Sequence, residues 1–384
     1  MPGKTTYIKI FLSIYSVLLI SCNHTDEIEL IPVDKTTAYT IAIPFGFPTK
    51  LNIPEDNPMT VEGIELGRHL FYDGRISGNS DTTKQMSCST CHLQENAFEC
   101  GIGHPKFIGG KTFGVTGIPT PHYMVPLFNQ VWNHSGYLWN GAVNEDNPDP
   151  MRRNIESLTY MAIIAPHEMN SDTTSAVNAI SAVPEYTELF YKAFGSEKVT
   201  IGRMGKAIAQ FVRTFVSANS RFDQYLRGET QLTPSELSGY VLFVTEEGAD
   251  CFHCHGGGGN PLFTTHLFYN NAKDSVFDDP RDHFAVTGDP MTHGAYKAPS
   301  LRNIGLTAPY MHDGRFKTLD EVIDFYSGEL VNSPYVDPLM HYITYGGTML
   351  TPTEKADLKA FLLSLTDEDF IKNPALSKPA ELTP

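Results

Sequence analysis

Two short segments share one pattern. Cys88-Ser89-Thr90-Cys91-His92 and Cys251-Phe252-His253-Cys254-His255 both read Cys-x-x-Cys-His. Thiols three positions apart can reach the two vinyl groups of one porphyrin as thioethers. The adjacent imidazole then comes beneath the iron. A redox-active cysteine pair and a zinc site are the alternative chemistries. A zinc site asks for further Cys or His partners at matching spacing, and the first motif has only Cys100 and His104 nearby. Histidine makes up 14 of 384 residues, so a His following both pairs by chance is about 1 in 750. The pattern therefore predicts two covalent c-type haems. Cys88, Cys91, Cys251 and Cys254 are the attachment points, and His92 and His255 are the proximal iron ligands. His253, inside the second motif, reads as a surface spacer.

The elements that must position these motifs are helical. From Thr60 the apolar spacing Ile64, Leu66, Leu70, Phe71 predicts a helix stopped at Asp73-Gly74. Helices are also expected over Ile155–Ile164, Ala176–Ile180, Pro184–Phe194 (ended by Gly195) and Ile201–Val216. Thr233-Pro234-Ser235-Glu236, Thr318-Leu319-Asp320-Glu321 and Thr351-Pro352-Thr353-Glu354 are capping boxes, and each opens a helix. No alternating apolar run is long enough to predict a sheet. The expected fold is all-α, two tandem cytochrome-c-like domains with long loops that surround an apolar cofactor. The motifs lie 163 residues apart (251 − 88), with a boundary near Ser217–Gly228. The domain expectation is a leader over 1–21, a tether and arm over 22–58, a first haem domain over 59–218 and a second over 219–384.

The start of the chain carries its own signal. Lys4 and Lys9 precede an apolar run, Ile10–Ile20, too short for a comfortable membrane span, ending Leu19-Ile20-Ser21-Cys22. This resembles a bacterial lipoprotein signal with lipid on the Cys22 thiol, a plain secretory signal being the alternative. Either predicts export to the periplasmic or cell-envelope face, with membrane attachment through Cys22 in the first case. Six cysteines in an exported chain also admit disulfides, but the haem motifs absorb four and Cys100 is left over. The net charge of −16 (28 Lys+Arg against 44 Asp+Glu) argues against a nucleic-acid surface and suits steering of a cationic redox partner.

Further segments carry a family resemblance: Leu66-Gly67-Arg68-His69-Leu70-Phe71-Tyr72-Asp73, Trp139-Asn140-Gly141, Pro166-His167-Glu168-Met169, Ala298-Pro299-Ser300-Leu301-Arg302-Asn303 and Thr307-Ala308-Pro309-Tyr310-Met311-His312-Asp313-Gly314. With both haem motifs, these resemble the bacterial dihaem cytochrome c peroxidases and the related MauG proteins over nearly the whole mature chain. The resemblance implies that the N-terminal haem, on His92, is the peroxidatic one. It places Glu168 on the distal side as proton-transfer group and Trp139 between the haems. It implies calcium between the haems, bound partly by backbone carbonyls of Thr307 and Pro309. The side-chain Asn expected near His122-Tyr123 is missing, and the Gln often found ten residues before the catalytic Glu is Leu158 here.

For the second haem the resemblance points fourteen residues beyond His312, to Tyr326. The peroxidases have Met at this register and MauG-like members have Tyr. Leu319, Val322, Ile323 and Tyr326 share one helical face. Met311, Met340 and Met349 are rival ligands outside that register. The distal ligand of the first haem stays open, with His104 in the right loop but not in register.

The reading these features support is a dihaem peroxidase that reduces hydrogen peroxide at the first haem. Electrons come through the second haem from a small periplasmic donor such as a cytochrome c. One alternative is a MauG-like high-valent enzyme that oxidises a protein substrate. Another is a dihaem electron carrier without catalysis. A homodimer is one assembly open to such a chain.

Overall fold

The computed structural model describes residues 36–257, 259–380 and Leu382. The leader and Cys22 lie outside the described residues. None of the described helices is long and apolar enough to cross a membrane.

The structure is helix-rich, and its strands are two antiparallel pairs of two residues each. Helix α1 (Val61–Tyr72) opens at Thr60, whose hydroxyl accepts from Gly63 N. Next come α2 (Ile155–Ile164), α3 (Thr173–Ser181), α4 (Pro184–Phe194) and α5 (Ile201–Arg213). Helices α6 (Arg221–Leu226), α7 (Pro234–Phe243), α8 (Phe252–His255) and α9 (Phe284–Thr287) follow. The chain closes with α10 (Leu319–Gly328), α11 (Pro352–Leu363) and α12 (Glu368–Lys372). All three expected capping boxes form, at Thr233, Thr318 and Thr351, and Gly195 ends α4 in the left-handed region. A fourth box, Ser220 with Asp223, opens α6; the short apolar content of that helix hid it in the sequence.

Two helix crossings organise the molecule. A Cβ on Gly67 of α1 would strike the Ala207 carbonyl and the Phe211 side chain of α5. A Cβ on Gly239 of α7 would strike the Asp357 carbonyl and the Phe361 side chain of α11. Each crossing is thus a glycine seated on a backbone carbonyl, with a phenylalanine one turn further on. Around the first lies a core of Leu66, Leu70, Phe71, Phe98, Phe211 and Phe215. Around the second lie Phe222, Phe243, Phe263, Phe361 and Leu365. Burying each such side chain stabilises the fold by about 1.5–3 kcal/mol.

The chain's last turn returns to the first core. Phe370 packs edge-on to Phe98 at 5.7 Å, and Tyr72 Oη donates to Leu376 O at 2.7 Å. Asp367 clasps the connection between the cores, accepting from Ser217 Oγ, Ala218 N and Asn219 N. Helix α5 stops at Arg213 rather than Val216. Its continuation pairs instead with the loop at Asn129, which donates its N–H to Phe215 O at 2.7 Å. Residues 36–59 run extended across the body, pinned where Trp132 Nε1 donates to Pro48 O at 2.8 Å.

Candidate haem sites

Cys88–Thr90 form a single tight turn, closed by reciprocal bonds between Ser87 and Thr90. His92 follows, its Nδ1 2.8 Å from Phe98 O. That carbonyl is fixed because Phe98 stacks on Phe215 at 3.9 Å and a bridge joins Leu93 to Glu99. With Nδ1 engaged, Nε2 is the nitrogen left for a metal, the arrangement that orients ligating histidines. The second motif is built the same way on α8. His255 Nδ1 lies 3.1 Å from Pro299 O, and Cys254 O accepts from Thr265 Oγ1 at 2.8 Å. Among the described residues all five cysteines are free of disulfides. Unbridged thiol pairs beside an imidazole with a single available nitrogen fit covalent haem at both places.

Glu168 reaches the first site. Its charge acts on both Cys88 and Cys91 and pushes their thiols further up, after burial. Its side chain is 42% exposed. Burial pushes its carboxyl up to about 7. The turn carrying it is clamped: Glu168 O accepts from Val115 N at 2.8 Å, and Thr116 Oγ1 donates to Pro166 O at 2.7 Å. A Cβ on Gly114 would collide with the Glu168 carbonyl, so this glycine permits the clamp. His104 turns to its own loop, its Nδ1 accepting from Lys106 N. Cys100 is buried near Cys91, and its thiol is pushed up to about 12, mainly by burial.

Tyr326 reaches the second site from α10. Its hydroxyl accepts from Asn271 Nδ2 at 2.9 Å. Burial, then the nearby Cys254 and Cys251, holds its phenol well above the ordinary value. Met311 Sδ lies 3.7 Å from the same amide, so a rival ligand shares this corner. Met349 is exposed, and Met340 sits in a turn closed on Asp337.

Trp139, between the two motifs in sequence, is 7% exposed, its Nε1 donating to Tyr123 O at 2.7 Å. Its ring meets His312 at 6.3 Å, and His312 stacks on Tyr296 at 3.5 Å. His122 packs edge-on to both, its Nε2 2.6 Å from Asp279 Oδ2. The sequence used His312 only as a register mark; its stacking on Tyr296 joins loops 16 positions apart and leaves no local signal.

Two more buried features escaped the sequence. Lys297 Nζ donates to His266 O at 2.9 Å, its amine pulled down to about 7 by burial. His266 Nε2 has no hydrogen-bond partner among the described residues. Thr307 and Pro309 are buried beside Tyr123, whose hydroxyl approaches Ala308 O at 3.4 Å. No Asn stands at 122–123. A buried carboxyl, Glu99, acts on Tyr123 and Tyr310 instead, and burial pushes it well above its ordinary value.

Fold and paired motifs together define a dihaem c-type protein. The family model for di-haem cytochrome c peroxidase matches residues 61–231. MauG of Methylorubrum extorquens is 31% identical, with 84% of each chain covered. The cytochrome c551 peroxidase of Nitrosomonas europaea is 32% identical over 72% of this chain and 75% of the other. A crystal structure described as a MauG-like protein associated with microbial copper homeostasis is 35% identical. It covers 90% of this chain and 100% of that one, with a TM-score of 0.75. The chain belongs to the di-haem cytochrome c peroxidase and MauG family, whose members carry two c-type haems.

Proposed function

We propose that this chain is a peroxidase that reduces hydrogen peroxide at the N-terminal haem with electrons relayed through the C-terminal one. The observation that carries the reading is Glu168, a carboxyl poised near neutral pH and facing the Cys88–Cys91 site. Haem held at both motifs would supply iron to bind the peroxide oxygen and the electrons for its reduction. The balance is H2O2 + 2e− + 2H+ → 2H2O.

The chain's own residues do the rest. Cys88, Cys91, Cys251 and Cys254 would tether the groups, and the Nδ1 contacts of His92 and His255 leave Nε2 as the nitrogen that would hold the iron. Glu168 takes a proton from one peroxide oxygen and delivers it to the other, which departs as water. Trp139, buried and hydrogen-bonded to Tyr123 O, is the indole that would carry an electron between the two haems. Lys297 and the unsatisfied His266 offer buried cationic or donor groups for haem propionates. The backbone carbonyls of Thr307 and Pro309 would contribute to a site for a hard cation such as calcium. The two glycine-centred helix crossings support two tandem cytochrome-c-like domains.

A second reading rests on Tyr326. A tyrosine on the second iron favours its higher oxidation states, so the chain would oxidise a protein substrate as MauG-like enzymes do. Export to the cell envelope, lipid on Cys22 and a small cytochrome donor belong to either reading.

The test is Glu168→Gln in the two-haem protein, with steady-state peroxide reduction by a reduced cytochrome c. Turnover is expected to fall about 10²–10⁴-fold with both haem spectra unchanged. Wild-type turnover in the variant would remove the peroxidase assignment from this carboxyl.

A further inference from the structure

The second haem motif has a residue that haem attachment does not use. His253 stands between Cys251 and Cys254 with its ring half-buried. Its Nδ1 lies 2.7 Å from Asp250 Oδ1, and its Nε2 lies 3.6 Å from Glu246 Oε1. His341 comes from a loop 88 positions further along the chain (341 − 253), and its Nδ1 is 3.2 Å from Asp250 Oδ2. The two imidazoles meet at right angles, 4.8 Å between ring centres. One ligand atom from each of Glu246, His253 and His341 lies within 4.8 Å of the others. The loops are tied together beside the cluster, where Tyr342 Oη donates to Glu246 O at 2.8 Å.

A plain surface salt cluster would explain the exposed Glu246, but not Asp250. That carboxylate is 6% exposed and spends one oxygen on Nδ1 of each histidine. A carboxylate on Nδ1 is what fixes the tautomer and aims Nε2 outward in metal sites. It also brings two imidazoles together, which repel when both are charged and gain when they share one cation. Around a tetrahedral ion with bonds near 2.0–2.1 Å, ligand atoms stand about 3.3 Å apart. The 3.6 Å gap between Glu246 and His253 closes to that with a small side-chain movement.

We propose that Glu246, His253 and His341, braced by Asp250, form a surface site for a divalent transition-metal ion of the copper(II) and zinc(II) class, beside the second haem attachment. Two imidazoles and one carboxylate select this class over magnesium and calcium, which prefer all-oxygen ligands. Exposure of Glu246 and His341 leaves a coordination position to water, so the ion exchanges with solvent.

The test uses the two-haem protein after chelator treatment, titrated with Cu(II) in competition with a buffering chelator. Electron paramagnetic resonance, with the haem signals subtracted, reads the bound copper. One equivalent is expected to bind with hyperfine coupling from two imidazole nitrogens, and Zn(II) is expected to compete it off only in large excess. His341→Ala lies outside the haem motif and is expected to weaken binding at least tenfold with haem content unchanged. Asp250→Asn is expected to weaken it about 10–100-fold. Equal affinity in wild type and His341→Ala, or bound copper without two-nitrogen coupling, would overturn the site. Should His341→Ala fail to fold, Glu246→Gln with the same readouts decides: unchanged affinity and coupling would sink the proposal.

Discussion

The two halves of this molecule share a frame and differ in what they aim at it. Each crosses two helices at a glycine, Gly67 on α5 and Gly239 on α11. Each places a Cys-x-x-Cys-His turn beside the crossing and ties the histidine's Nδ1 to a backbone carbonyl. On the other side the likeness ends. The first half presents Glu168, an ionisable group poised near neutral pH. The second presents Tyr326, a phenol fixed by the Asn271 amide. A proton-transfer group suits a site where bonds to oxygen break; a fixed potential ligand suits a site that only passes electrons. Under the proposed function, one scaffold would serve two tasks through the loops and helix that face each motif.

The comparison breaks most sharply at its anchors. Each half holds a buried arginine–carboxylate pair: Arg213 with Glu156, and Arg302 with Asp223. Removing one partner leaves an uncompensated buried charge, so Arg302→Ala should cost about 3–5 kcal/mol. Denaturant unfolding of the two-haem protein measures it. Arg302 is fully enclosed and also lies over Phe47 and Phe263, so a loss near zero would contradict its role as an anchor.

The next effect is the pH profile of the first site. Burial raises the Glu168 carboxyl from its ordinary range to about 7, so its ionised, proton-accepting fraction grows as pH rises through 7. With proton removal from peroxide as the demanding step, kcat/KM should increase from pH 6 to 8, by up to roughly tenfold per unit on the acid side. Glu168→Gln should flatten that limb. A wild-type limb that survives the substitution would point to His122 or His104.

A spectroscopic difference should separate the second site from the first. If Tyr326 ligates the second iron, the ferric protein shows a low-spin His/phenolate haem and no near-infrared His/Met band. Tyr326→Phe should then change the spectrum and Met311→Leu should leave it alone. The reverse pattern would hand the ligand to Met311, which shares the Asn271 amide. The smallest effect is a local one. Thr351→Ala removes the cap of α11 and should cost about 1 kcal/mol, seen as a lower unfolding midpoint.

Much of this was legible in the residues because the signals are short-range. A Cys-x-x-Cys-His turn, a capping box and a 3.6-residue apolar period each lie within a few positions, and the backbone obeys them locally. Helices α2 and α4 match their expected limits for that reason. Helix α5 does not, because Asn129, far away in sequence, captures the backbone of Phe215 and draws the chain out of the helix. The same distinction runs through the sites. The sequence by itself determined that two thiol pairs and two histidines stand ready, and where α10 would carry Tyr326. Only the tertiary structure decided that Met311 shares the corner of Tyr326 and that His253 meets His341 over Asp250. Those meetings depend on long loops whose paths are set by buried contacts between distant residues, and such contacts leave no period or spacing to read.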